Sequence, residues 1–160
     1  MSSVRFVFPK SKLEQLIRAP GGLTVAEALA RADANLETIR PTCRAELMLL
    51  LQETENRLAD LKDNDEAGLA HLYALGVRGI GAGAVCGLPD VDVALGSLCE
   101  LIDRLQTGRR FDREAVAVHV RAWRLLMDPA MPKAGSAAVL TGLDKVTAHY
   151  AAPRPPEEPA

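Results

Sequence analysis

Leu75-Gly76-Val77-Arg78-Gly79-Ile80-Gly81-Ala82-Gly83-Ala84-Val85-Cys86-Gly87-Leu88-Pro89 is the stretch on which the reading of this chain turns. Glycines at positions 76, 79, 81 and 83 interrupt what otherwise has helical spacing. Each interior helical Gly costs about 0.8–1.0 kcal/mol relative to Ala. The simplest compensation is close approach of another helix, or of a partner, to the backbone. Gly87 suits the position just beyond a helix end and Pro89 the first turn of the next helix. The chain is therefore expected to turn there and re-enter a helix to about Gln106, along the strongest amphipathic run in the sequence: Val91, Ala94, Leu95, Leu98, Leu101, Ile102 and Leu105. Upstream, one helix is expected from about Glu66 to Val85. Its stripe would hold Leu69, Leu72, Gly76, Gly79, Ile80 and Gly83, with His71 and Arg78 on the wet side.

Outward from this centre the pattern stays helical. Thr24-Val25-Ala26-Glu27 is a capping-box signature. The apolar positions that follow (Val25, Leu29, Ala32, Leu36, Ile39, Cys43, Leu47, Leu50, Leu51, Leu58, Leu61) keep a three/four spacing through Pro41. One long helix kinked at Pro41 is the first reading, and two helices breaking at Arg40 the alternative. Asp63-Asn64-Asp65 ends this element and caps the next. Asp112 caps a helix with Val116, His119, Val120, Trp123, Leu126 and Met127, and a last helix carries Val139, Leu140, Leu143, Val146 and Tyr150. The fold class is all-α: an antiparallel helical bundle with a long N-terminal helix. Residues 1–22 are expected to form an arm (Val4, Phe6, Phe8) and a short helix, 23–152 the bundle, and 153–160 a disordered Pro-rich tail.

Composition removes several functions. A net charge of −2, a pI near 5.9 and 4% aromatic residues argue against a nucleic-acid or acidic-membrane surface. Hydrophobic residues make up 48% of the chain, enough for a core, yet charged residues break every run long enough to span a membrane. No signal peptide is read at the N-terminus. The three cysteines lack Cys-x-x-Cys spacing and read as reduced cytosolic thiols without a metal role.

Catalytic motifs fare no better. Gly79-Ile80-Gly81-Ala82-Gly83-Ala84 fits Gly-x-Gly-x-x-Ala formally, but no strand precedes it, as a dinucleotide turn requires. His71, His119 and His149 are not at metal-ligand spacing from one another or from a Cys. His119 falls on an apolar face and reads as a core histidine with one hydrogen-bond partner. Ser97 and Cys99 lie on a helix without a nucleophile elbow. No catalytic residue, metal or cofactor is assigned.

Cys86-Gly87-Leu88-Pro89, followed at Gly96 by Gly-Ser-Leu-Cys-Glu-Leu-Ile-Asp, resembles alphaproteobacterial histidine-phosphotransfer (Hpt) proteins. In that family a His-x-x-Lys-Gly helix leads to a Phe-Gly-Tyr-Pro-like hinge and then to a Ser-Leu-Cys-x-Leu-Ile helix. Val118-His119-Val120-Arg121-Ala122-Trp123-Arg124 and Gly142-Leu143 are similar to its later segments, so that the likeness covers roughly Leu69 to Tyr150. Aligned on Gly87, the phosphoacceptor His falls on Val77 and the lysine on Ile80, while the following small residue is kept as Gly81. Valine has no nucleophilic nitrogen. The N-terminal half, with Leu16-Ile17-Arg18-Ala19-Pro20-Gly21-Gly22 and Thr24-Val25-Ala26-Glu27-Ala28, resembles the small chemotaxis proteins called CheE.

The resemblance implies a degenerate, Hpt-like four-helix core. It also implies a non-catalytic, cytoplasmic signalling protein of bacterial chemotaxis or a two-component phosphorelay, with a response-regulator receiver domain or histidine kinase as partner. The contact would surround the lost histidine, at Tyr73, Val77, Gly81 and Ala84. The bland alternative packs those residues against the long N-terminal helix. Other readings are an active phosphotransfer protein using His71, and a homo-oligomerising module, such as a homodimer, that exchanges the Phe6/Phe8 arm.

Overall fold

The computed structural model describes residues 21–151, and the expected arm, short first helix and tail lie outside them. Among the described residues every regular element is a helix: α1 (Val25–Ala59), α2 (Glu66–Gly79), α3 (Ala82–Val85), α4 (Pro89–Thr107), α5 (Arg113–Leu126) and α6 (Lys133–His149). The protein is an all-α bundle. None of these helices is long and apolar enough to cross a membrane.

Among the described residues the backbone divides into two units between Glu37 and Thr38, with the boundary inside α1. In the first, the capping box forms as its sequence requires. The Glu27 N–H donates to Thr24 Oγ1 at 3.2 Å, and the Thr24 N–H donates back to Glu27 Oε2 at 2.8 Å. The expected apolar stripe is not core here: Val25 is 77% and Leu29 61% exposed.

In the second unit α1 continues through Pro41, and its stripe becomes core only at Leu47, Leu50 and Leu51. Asp65 then caps α2, accepting from the Gly68 N–H at 2.8 Å. Helix α4 carries the centre of the core, with Val91, Ala94, Leu95, Leu98, Leu101, Ile102 and Leu105 all buried, and it packs against α2, α3, α5 and α6. Helix α2 runs antiparallel to both α1 and α4. Arg78 of α2 meets Glu46 of α1 while His71 meets Glu53, and Gly76 lies by Cys99 while Gly79 lies by Leu95. The other face of α1 is tied to α5: Arg124 pairs with Glu55, and Arg113 donates to the carbonyls of Leu58 and Ala59.

One expectation needs correction. The helix expected from Glu66 to Val85 breaks after Gly79: Ile80 is extended (φ −62°, ψ 131°) and Gly81 is left-handed at φ +93° before the single turn of α3. Ile80 consequently leaves the buried stripe and is 47% exposed, whereas Leu69, Leu72, Gly76, Gly79 and Gly83 stay inside. Gly87 (φ +75°) closes α3 as expected. Its N–H donates to the Ala84 carbonyl at 3.1 Å and the Leu88 N–H donates to the Gly83 carbonyl at 2.8 Å, which is a Schellman cap.

Candidate docking surface

Tyr73 and Val77 lie one helical turn apart on the outer face of α2, 41% and 47% exposed, and Ile80 follows at the end of the helix. Gly81 and Ala84 are exposed as well but belong to the next element. All four residues proposed from the sequence therefore lie at the surface. They do not form one continuous helical stripe.

The inner side of the same segment explains most of its glycines. A Cβ at Gly79 would lie 2.8 Å from Leu95 Cδ1, and one at Gly76 would lie 2.9 Å from Cys99 Sγ. The close approach is thus made by α4 of the same chain. The long first helix also reaches Gly79, where Leu47 and Leu50 stand 3.6 and 3.8 Å from the same Cβ position. Gly81 has a different reason. A Cβ there would touch nothing within 4 Å, but its positive φ is costly for any L side chain.

The hinge is held by Asp92, a residue to which no motif in the sequence points. Asp92, in the first turn of α4, accepts from the N–H groups of Gly81 (2.9 Å), Gly83 (3.0 Å) and Ala84 (2.7 Å). A carboxylate in a nest of backbone N–H groups satisfies the orphan donors at the start of α3. The glycine motif that mimics a phosphate-binding turn is therefore filled by the chain's own anion. The available signal was the pair of acids after Pro89, Asp90 and Asp92.

His71 and Arg78 are on the wet side, as expected, and both face α1. His71 Nε2 is 3.5 Å from Glu53, and the Arg78 guanidinium is 3.3 Å from Glu46 and 3.8 Å from Glu53. All four side chains are half exposed, so each ion pair made by Arg78 is worth at most about 1 kcal/mol. Arg78 with Glu46 and Glu53 marks a charged border to the Tyr73–Val77 face.

A second constellation joins α4, α5 and α6. His119 is fully buried, and its Nδ1–H donates to the Ala115 carbonyl at 3.0 Å, an acceptor that fixes the tautomer. Its Nε2 lone pair is then free to accept from Ser97 Oγ (3.1 Å) or Thr147 Oγ1 (3.2 Å), which are 3.1 Å from each other. Burial pushes the imidazole below its usual range, opposed by the bond to Ala115. His119 is a core histidine as expected, but with three partners in place of one. His119 is closed inside the bundle while Ser97 is partly buried, and neither residue lines the 690 Å³ cleft walled by Leu88, Leu126, Met131 and Leu140.

At the far end of the bundle, Tyr150 donates to Asp112, the cap of α5, and Arg110 lies over the Tyr150 ring at 4.8 Å. Burial acts to raise the Asp112 carboxyl, but the bonds from Tyr150 and from the Ala115 N–H outweigh it and leave the group below its usual range. Burial and the adjacent carboxylate push Tyr150 up to about 12. Among the described residues no group of three or more His, Cys, Asp or Glu side chains is placed to hold a metal ion.

No known family model, curated protein or solved structure matches this chain.

Proposed function

We propose that this protein is a non-catalytic adaptor of bacterial chemotaxis or a two-component phosphorelay, acting in the cytoplasm. It binds a receiver domain, or the histidine kinase that feeds one, through the outer face of α2. The observation that carries the reading is that Val77, aligned with the phosphoacceptor histidine of the Hpt family, is 47% exposed beside Tyr73 and Ile80. Large apolar side chains grouped on one exposed helix face are the usual material of a protein contact. With Val77 and Ile80 in the nucleophile and lysine positions, the surface keeps a docking shape and loses the chemistry.

The direct test is incubation of the full chain with a phosphorylated receiver domain from the same cell. Binding weakened by Val77→Asp or Tyr73→Ala, without acid-labile phosphate on the chain, is the expected result. Phosphate on His71 that disappears in His71→Ala would establish active transfer instead, from the face of α2 that looks toward α1. Equal binding by folded parent and folded Val77→Asp would place the contact elsewhere.

A further inference from the structure

Two of the three cysteines lie in the region where α1 passes the end of α3. From Thr38 to Glu46 the residues of α1 are exposed with two exceptions, Arg40 and Cys43, which stand three apart and so share a face. The end of α3 covers that face. Arg40 Nε donates to the Val85 carbonyl at 3.0 Å, and Cys86 Sγ approaches the Arg40 carbonyl at 3.8 Å. In an α-helix the carbonyl of one residue points along the axis toward the residues three and four further on. Cys86 Sγ is therefore held over the turn that carries Cys43. Both residues are only partly buried, whereas Cys99 is buried and directs its thiol to the Tyr73 carbonyl. The Cys86 thiol also senses its neighbour: burial first, then Cys43 and Asp92, push it up, against Arg44 and Arg40.

We propose that Cys43 and Cys86 form a reversible intramolecular disulfide when the chain meets a peroxide, with Cys99 left as a thiol. One thiolate attacks a peroxide oxygen, the O–O bond breaks, and the departing hydroxide is protonated to water, leaving a sulfenic acid. The second thiolate attacks that sulfur, the S–S bond forms, the S–O bond breaks, and a second water leaves. Two thiols and one hydrogen peroxide thus give one disulfide and two waters. A disulfide needs Cα atoms within about 7 Å, so the bond ties α1 to the end of the glycine hinge. Cytosolic disulfides of this kind are usually transient and redox-sensing.

The test uses the full chain under native conditions, treated with hydrogen peroxide, alkylated and digested without reduction. A monomer lighter by two hydrogens is expected, with free thiols falling from the three of the reduced chain to that of Cys99 alone and a peptide joining Cys43 to Cys86. Dithiothreitol should restore the parent mass. Cys43→Ser and Cys86→Ser should each abolish the linked peptide, and Cys99→Ser should leave it intact. The proposal is overturned if native parent protein yields no Cys43–Cys86 peptide, yields only disulfides between chains, or links Cys99. The parent measurement decides the matter even where a variant fails to fold.

Discussion

Helix α4 is gripped in two different ways. Toward α2 its surface is dry and close: Leu95, Leu98 and Cys99 fill the hollows left by Gly76 and Gly79. Toward α5 and α6 the apolar packing is joined by a polar contact: Ser97 enters the hydroxyl–imidazole group of His119 and Thr147. The first contact rests on shape, so it responds to volume and is indifferent to protons. The second rests on satisfied buried polar atoms, so it responds to protonation.

The largest effect should come from emptying the dry side. Leu98→Ala removes a side chain that is 1% exposed and should cost about 2–5 kcal/mol in denaturant unfolding. An unchanged midpoint would show that this face is not core. Overfilling is expected to cost less. Gly79→Val drives a Cβ against Leu95 and should lose about 1–3 kcal/mol, the usual penalty of overpacking. Gly81→Ala meets no atom and should lose only the cost of a left-handed L residue, about 1–2 kcal/mol. Equal losses for Gly79→Val and for Gly79→Ala would mean that α4 yields to volume and that its fit to α2 is loose.

The polar side should answer to acid. Unfolded His119 takes up a proton near its ordinary value, while the folded imidazole, with its affinity lowered by burial, resists. Its stabilising contribution is complete above about pH 6.5 and declines as pH falls below that value. His119→Gln should flatten the stability profile between about pH 7 and pH 5, whereas Leu98→Ala should shift the whole profile down without changing its slope. A profile equally steep in His119→Gln would remove the histidine as the cause. Gly96 lies on α4 but on neither grip, and a Cβ there would meet nothing within 4 Å. Gly96→Ala should therefore gain about 0.5–1 kcal/mol, and a loss would reveal a contact on a third side.

The bundle was legible because apolar spacing at three and four is a direct image of burial. The run from Val91 to Leu105 is buried residue for residue. At Val25 and Leu29 the same spacing marks the helix correctly, but periodicity does not report whether anything covers it. The helix break at Ile80 was hidden because glycine is compatible both with a helix under close approach and with a left-handed turn. Only the carboxylate of Asp92, eleven residues beyond Gly81, decides between them, and that contact is non-local. The caps at Thr24, Asp65, Gly87 and Asp112 were local and could be read directly. Pairing of Ser97 and Thr147 with His119 joins three helices, and no motif spacing announces it.

Docking without transfer is tested most directly by following a radiolabelled phosphoryl group from a phosphorylated receiver domain while binding is measured in the same tube. The expected result is a complex that Val77→Asp weakens by tenfold or more, on the order of 1.4 kcal/mol, with all label remaining on the receiver or released as phosphate. Label on the chain that is acid-labile and lost in His71→Ala would contradict it.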